Sequence, residues 1–151
     1  MEELTNKQKE ALLLASKWWE NERFDRPFVL SGLGGTGKTF IANRIAKELN
    51  LKDEQVKFVA YTGAAAGMLS KKGLDATTVH KAIYNPSVFE KEDEETGKKS
   101  EEVIFTLKNK EDFENIKLMI IDEGSMIDMP LFNDIKSFGF AIMILGVTNC
   151  L

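Results

Sequence analysis

The sequence predicts an α/β domain in which helices flank a parallel sheet, and three observations support this fold class. Four apolar segments have the length of buried strands, and segments with helical periodicity separate them. They cover residues 28–30, 57–62, 117–123 and 141–146. These segments are apolar on both faces, which is typical of parallel strands covered by helices on either side. A glycine-rich segment also joins the first strand to the next helix, where sheets of this kind bind phosphates.

An amphipathic helix is predicted to open the chain over residues 5–22. Thr5 and Gln8 have the spacing of a capping box, in which each residue bonds the backbone of the other. Four residues mark the expected buried face of this helix. They are Ala11, Leu14, Ala15 and Trp18.

The glycine-rich segment Gly32-Leu33-Gly34-Gly35-Thr36-Gly37-Lys38-Thr39 fits the phosphate-binding pattern G-x-x-x-x-G-K-[ST]. Its glycines let several backbone N–H groups converge on an anion, and the following helix adds its positive dipole end. Ile41, Ile45 and Leu49 form the apolar face of that helix. We expect Lys38 to reach the β- and γ-phosphates of ATP and the Thr39 hydroxyl to bind Mg²⁺. The predicted contacts with the nucleotide here are Gly32, Gly34, Gly35, Thr36, Gly37, Lys38, Thr39 and Phe40.

Between the second and third predicted strands lie two further helices and a polar excursion. A small-residue helix begins at Gly63, and residues 77–83 are predicted to be a short helix capped by a threonine. Residues 85–112 are highly charged in the middle and apolar at both ends. This pattern fits a projecting β-hairpin, and it also fits a solvated or disordered loop.

Two acidic residues, Asp122 and Glu123, end the third apolar strand. At the carboxyl end of a strand, Asp122 would hold Mg²⁺ through water, and Glu123 would orient or deprotonate an attacking water. Such a pair is common at strand ends, but here a phosphate-binding loop precedes it in the same chain. We therefore predict Lys38, Asp122 and Glu123 as catalytic residues and Thr39 and Asp122 as metal ligands.

Composition narrows the classes of protein further. The chain has 151 residues, of which 43% are hydrophobic and 29% charged, as expected for one globular domain. A single cysteine and a single histidine exclude an internal disulfide framework and a zinc site built from these residue types. No apolar run is long enough to cross a bilayer and the start lacks signal-peptide order, so we expect a cytoplasmic protein without a membrane partner. The net charge of −4 equals the local charge of residues 90–102, which hold seven acidic and three basic residues.

Five segments occur in the order LTNKQKEAL, GLGGTGKT, YTGAAAGML, ATTVHKAI and IIDEGSMID. Together they resemble the first, RecA-like motor domain of a superfamily 1 DNA helicase of the RecD/Dda type, over residues 4–151. The resemblance implies one P-loop ATPase domain over residues 1–151 with a pin-like hairpin inserted at 85–112. It also implies ATP and Mg²⁺ as cofactors, single-stranded DNA as partner, and the cytoplasm of a bacterial or phage-infected cell.

The resemblance also implies roles for individual residues. Gln8 matches the motif that reads the adenine edge. Thr62 and Gly63 match a motif that holds the phosphates of single-stranded DNA. Thr78 and His80 match an element near the same strand, although a lone histidine is often structural. The predicted DNA-binding residues are thus Thr62, Gly63, Thr78 and His80.

Several residues depart from the family pattern. Ala64 stands where the family usually has a basic or polar residue. Gly124 stands where the family usually has a small apolar residue. In the terminal segment, Val147 stands where the family has an acid, and Cys150 stands where it has a glutamine. In the family this glutamine senses the γ-phosphate, a role that a thiol cannot take. We expect that the chain is truncated before the second motor domain. We also expect that this chain binds ATP, hydrolyses it slowly and does not unwind DNA alone. Two alternatives remain open, a self-contained nucleotide kinase or other NTPase, and a degenerate, non-catalytic adaptor for nucleic acid or protein.

Overall fold

A computed structural model describes residues 3–31 and 37–146. Five helices and seven strands follow one another in these ranges. The helices are α1 (Asn6–Asn21), α2 (Gly37–Glu48), α3 (Gly63–Lys71), α4 (Val79–Ile83) and α5 (Met129–Lys136). The strands are β1 (Phe28–Leu30), β2 (Val56–Ala60), β3 (Ala76–Thr78), β4 (Tyr84–Glu92), β5 (Lys99–Leu107), β6 (Leu118–Asp122) and β7 (Ala141–Leu145). Within the described ranges, no helix has both the length and the apolar character needed to cross a membrane.

Five of the strands form one parallel sheet in the order β1-β7-β6-β2-β3. Alternate residues of each central strand point to opposite faces, so that Leu118 and Ile120 pack beneath α1 and α2, while Met119 and Ile121 pack beneath α4 and α5. Helix α3 packs on Ala60 at the end of β2. The predicted fold class, a RecA-like α/β domain with helices on both faces of a parallel sheet, is confirmed.

The predicted buried face of α1 is correct except at one position. Ala15 and Trp18 are buried and Ala11 is half-buried, but Leu14 is half exposed. The face that meets the sheet contains Leu12 and Trp19 in its place. The predicted capping box is present, because the Thr5 hydroxyl accepts a hydrogen bond from Gln8 N and the Gln8 side chain accepts one from Thr5 N.

Strand β3 corrects the prediction of a helix over residues 77–83. Thr77 and Thr78 pair with Val59 and Ala60 of β2, and the helix begins only at Val79. Its cap is nevertheless a threonine, because the Thr78 side chain accepts a hydrogen bond from Lys81 N. A three-residue strand of half-buried residues carries almost no periodic signal, and its pairing with β2 decides its conformation.

Strands β4 and β5 form a separate antiparallel hairpin. Of the two predictions for this segment, the hairpin is therefore correct and the disordered loop is not. Nine residue pairs are in continuous register, from Tyr84 opposite Leu107 to Glu92 opposite Lys99. At its base Lys108 N donates to Ile83 O at 2.8 Å, which joins the hairpin to the end of α4. The hairpin is therefore an insertion between β3 and β6, as predicted.

Candidate functional site

The predicted site residues that the structure describes cluster along one edge of the sheet. Because all five strands are parallel, their carboxyl ends meet at this edge. The edge carries the start of α2 after β1, the acidic pair after β6, and the threonine segments after β2 and β3. Gln8 comes from α1 instead. Four predicted residues of the glycine loop lie outside the described part, namely Gly32, Gly34, Gly35 and Thr36.

Helix α2 presents the described part of the phosphate-binding motif. It begins at Gly37, which puts Lys38 and Thr39 in its first turn. Lys38 is half-buried, while Thr39 is only 8% exposed and is the one buried polar residue of the described ranges. Ile41 and Ile45 on the same helix are fully buried against the sheet, as predicted. The first turn is thus anchored by the core beneath it.

The acidic pair lies two strands away from β1. Strands β1 and β6 both pair with β7, so their ends are separated by about 10 Å. Glu123 has a left-handed backbone, with φ 57° and ψ 44°, which is uncommon for a residue with a side chain. Its N–H donates to Asp122 Oδ1 at 3.0 Å. The chain therefore turns sharply at the end of β6.

Gly124 follows this turn and packs directly against β7. A Cβ atom at this position would lie 1.9 Å from Ile144 Cγ2 and 3.5 Å from Leu145 O. Gly146 approaches from the end of β7, where its own Cβ would lie 3.4 Å from Gly124 N. The close approach explains why glycine stands where the family pattern has a small apolar residue. The predicted motif beyond Gly146, with Val147 and Cys150, lies outside the described residues.

A cleft of about 520 Å³ opens between α1 and the start of α2. It brings together Gln8, Gly37, Thr39 and Phe40, all predicted to contact the nucleotide. Its other described lining residues are Glu3, Asn43, Lys72 and Leu74. Asn43, Lys72 and Leu74 were not predicted, because no local motif marks them and only the packing of the segment after α3 brings two of them here.

The Gln8 side chain has one of its two polar ends occupied. Its Oε1 accepts from Thr5 N at 2.9 Å in the capping box, which fixes the direction of the side chain. Its NH₂ group carries two further donors. The capping role and a contact with a base in this cleft are therefore compatible.

The predicted DNA-binding residues lie at the ends of β2 and β3. The Thr62 hydroxyl caps α3 by accepting from Ala65 N at 3.2 Å, and Gly63 begins that helix. Thr78 is the corresponding cap of α4, and its position in β3 is opposite Ala60 of β2. His80 is exposed and packs between two tyrosine rings, with centroid distances of 5.7 Å to Tyr61 and 5.9 Å to Tyr84.

One hydrogen bond joins the predicted DNA-binding residues to the acidic pair. Thr62 Oγ1 donates to Glu123 Oε2 at 3.2 Å, across 61 positions of sequence. Ser125 and Met126, which belong to the segment IIDEGSMID, lie in a 3₁₀ turn directly after Glu123. The edge is therefore one connected surface and not two separate sites.

A second cleft of about 510 Å³ lies around the opposite ends of the strands, between α1, the residues before β6 and those before β7. It contains the side chain of Arg23, which stacks on the rings of Trp19 and Phe24 at 4.9 and 4.7 Å. None of the predicted site residues lines this cleft. Because the two clefts have nearly the same volume, volume does not distinguish the candidate site. The clustering of motif residues does.

Comparison with known proteins shows which family the chain belongs to. Residues 19–145 match the family model described as AAA domain. The chain is also 30% identical over 139 residues to the ATP-dependent DNA helicase dda of Enterobacteria phage T4. That match covers 90% of this chain and 29% of the helicase, so the chain spans less than a third of that relative. The resemblance to a superfamily 1 helicase motor domain of the Dda type is confirmed, and the chain belongs to the AAA domain family.

Proposed function

We propose that this chain is the ATP-binding motor domain of an ATP-dependent DNA helicase. In the whole protein, ATP hydrolysis would drive movement along single-stranded DNA. The observation that carries this proposal is the order of groups along the sheet edge. The predicted phosphate-binding residues follow β1 and the acidic pair follows β6, whereas the predicted DNA contacts follow β2 and β3. Thr62 is hydrogen-bonded to Glu123 between the two groups.

The chemistry of the nucleotide half follows from its side chains. The Lys38 ammonium would neutralise the terminal phosphates beside the N-terminus of α2. Thr39 and Asp122 offer the hard oxygen ligands that Mg²⁺ prefers, and the described residues contain no cluster of three or more His, Cys, Asp or Glu that could hold a metal alone. Mg²⁺ would take its other ligands from the nucleotide phosphates, whose negative charge it would offset. Glu123 would orient or deprotonate the attacking water.

The cleft between α1 and α2 would hold the base. Phe40 is 42% exposed and Leu74 is half-buried, so both offer apolar surface to a planar ring. The Gln8 NH₂ group would donate to an acceptor nitrogen of adenine. These contacts would favour a purine base.

Efficient turnover would need a group from outside this domain. In related triphosphatases an arginine that reaches the γ-phosphate from a neighbouring domain raises the rate by about 10³–10⁵. We propose that a second motor domain supplies it in the whole protein. This chain alone would then bind Mg-ATP, hydrolyse it slowly and separate no duplex. A bacterial or phage-infected cytoplasm is the location we infer.

The first test measures ATP binding and turnover by the chain with and without single-stranded DNA. Lys38→Ala should lower ATP affinity by at least about tenfold, because a charge-assisted contact with phosphate is lost. Lys47→Ala is the matched control, because this exposed lysine lies in the last turn of the same helix and should leave binding unchanged.

Equal ATP affinity in wild type and Lys38→Ala would contradict the proposed nucleotide site. Steady transfer of phosphate from ATP to a nucleoside monophosphate would favour a nucleotide kinase instead. If neither ATP nor Lys38→Ala changes the affinity for single-stranded DNA, a non-catalytic adaptor would be favoured.

A further inference from the structure

The cleft of about 510 Å³ at the amino ends of the strands has a lining that suits a ligand of its own. We call it the Arg23 cleft. Part of its lining is a cluster of three phenylalanine rings, whose centroids lie 4.5–5.9 Å apart. Phe113 and Phe140 are buried and Phe138 is half-buried. This apolar part of the cleft is therefore packed in place before any ligand enters.

Arg23 is held in one orientation within the cleft. Its guanidinium carbon lies 4.9 Å from the centroid of the Trp19 ring and 4.7 Å from that of Phe24. Its Nη1 donates a hydrogen bond to Trp19 O at 2.6 Å. Because two rings and one hydrogen bond already order this side chain, little conformational entropy is lost when it binds a ligand.

The Arg23 guanidinium keeps hydrogen-bond donors for such a ligand. A guanidinium carries five N–H donors, and among the described residues Arg23 donates only to Trp19 O. The ion pairs of the described ranges involve Arg26 and Arg44, so no described carboxylate pairs with Arg23. Ring stacking covers the faces of a guanidinium and leaves its edge, which binds a carboxylate through two parallel hydrogen bonds.

The charge of the Arg23 cleft is opposite to that of the chain. The lining holds one acidic residue, Glu114, and three cationic residues, Arg23, Lys110 and Lys117. The chain as a whole has a net charge of −4. Phe24, which also lines the cleft, is 61% exposed. An oriented arginine beside exposed aromatic surface is typical of protein interfaces, and the charge selects an acidic partner.

An acidic peptide fits this cleft better than single-stranded nucleic acid does. Nucleic acid requires open ring faces on which successive bases stack. Phe113 and Phe140 are buried. Arg23 covers one face of Trp19 and one of Phe24. The guanidinium edge beside apolar surface remains, and it suits a carboxylate that neighbours an apolar side chain.

We propose that the Arg23 cleft is a docking site for an acidic peptide segment of a partner protein, a segment that carries an aromatic side chain. Arg23 binds a carboxylate of the segment through the edge of its guanidinium. The aromatic side chain packs against the phenylalanine cluster, and Lys110 and Lys117 attract the neighbouring carboxylates.

This site lies apart from the proposed nucleotide site. The central strands β6 and β7 have five residues each, a length of about 16 Å, and the two clefts lie around their opposite ends. Peptide and nucleotide can therefore bind at the same time. Saturating Mg-ATP should leave the affinity for the peptide unchanged, and Arg23→Ala should leave the affinity for ATP unchanged.

The test measures binding of a fluorescein-labelled hexapeptide, one phenylalanine among aspartates, by fluorescence anisotropy. Arg23→Ala should weaken binding at least about tenfold, because an oriented arginine at the centre of a cleft carries much of the binding energy. Arg23→Lys should recover only part of the loss, since an ammonium lacks the planar fork. A peptide with alanine in place of phenylalanine should bind at least about threefold more weakly than the original.

Arg26→Ala is the matched control. Arg26 follows Arg23 by three residues, is exposed, pairs with Glu22 and does not line the cleft. Its loss removes the same charge and should change peptide affinity less than twofold. Lys110→Glu, at an exposed position outside the core, gives a second probe if Arg23→Ala fails to fold. It should weaken peptide binding by about threefold or more.

Four results would overturn the proposal. The first is a wild-type chain that does not bind the hexapeptide. The second is an equal loss of affinity with Arg26→Ala and Arg23→Ala, or no loss with Lys110→Glu. The third is equal binding of the alanine peptide, since the cleft would then respond to charge alone. The fourth is Arg23-dependent binding of oligothymidylate that displaces the peptide, which would assign the cleft to nucleic acid.

Sedimentation of the chain alone tests a second copy as the occupant. A dimer that dissociates in Arg23→Ala would replace the partner peptide by another copy of this chain. A monomer that binds the hexapeptide through Arg23 would support the proposal. Loss of ATP binding in Lys38→Ala is a separate result, so the proposed function and the docking site can fail independently.

Discussion

The central sheet and the hairpin differ in what holds them. Strand β7 is buried along its whole length, whereas every residue of β5 is exposed. The sheet fixes its register by burying both faces beneath helices, and the hairpin fixes its register by pairing two long strands. Apolar side chains in the sheet thus stabilise the fold, while those of the hairpin contribute little to it.

The same substitution in each region tests this difference most directly. Ile120→Ala in β6 should lower the free energy of unfolding by about 2–5 kcal/mol, because Ile120 is 0% exposed and its loss leaves a cavity. Ile104→Ala in β5 should cost less than about 1 kcal/mol, because Ile104 is 43% exposed. Urea denaturation followed by circular dichroism would measure both. Equal costs would mean that the hairpin is folded into the core.

A second test asks whether the site edge of the sheet is packed as tightly as its centre. Gly124→Ala should cost about 1–3 kcal/mol, because the new Cβ would overlap Ile144 Cγ2. The same substitution in an Ile144→Ala background should cost clearly less, since the overlapping atom is gone. Additive costs, measured by denaturation of the four proteins, would show that the two positions do not compete for space.

The contrast also explains which parts of the fold can be predicted from the sequence. The strands of the sheet are recognisable because their apolar character on both faces admits few other structures. Strand β3 escapes prediction because three half-buried residues carry almost no periodic signal, and the hairpin stays ambiguous because its charges are equally typical of a loop. Leu14 is misplaced because a four-residue face on α1 does not fix where the sheet lies.

Prediction of the candidate site is limited in a different way. Motif spacing brings out Lys38, Thr39, Asp122 and Glu123, because each spacing is local to one strand end or loop. The bond between Thr62 and Glu123 cannot be predicted, since it depends on β2 and β6 being neighbours. The tight fit of Gly124 likewise depends on β7, a strand that follows it by many residues.

The smallest expected effect concerns Tyr84, where the hairpin joins the core. Its hydroxyl donates to Asp134 of α5, and burial, this hydrogen bond and the charges of Asp134 and Asp128 raise the pKa of Tyr84 from 10.0 to about 12. The chain has two tyrosines, so Tyr61→Phe leaves Tyr84 as the single phenol. Ultraviolet absorbance should then titrate near pH 12, and Asp134→Asn should move the pKa part of the way back.

The raised pKa of Tyr84 also sets the direction of a pH dependence. Since the folded pKa exceeds the unfolded one, the stabilisation by Tyr84 is complete below pH 10 and is lost as the pH rises through 12. In the Tyr61→Phe background, Tyr84→Phe should cost about 1 kcal/mol at neutral pH. Denaturation at a series of pH values should show this cost shrinking over the same window. A phenol that titrates near pH 10 would show that the hairpin base is open to water, and the join between hairpin and core would then rest on the backbone bond from Lys108 to Ile83.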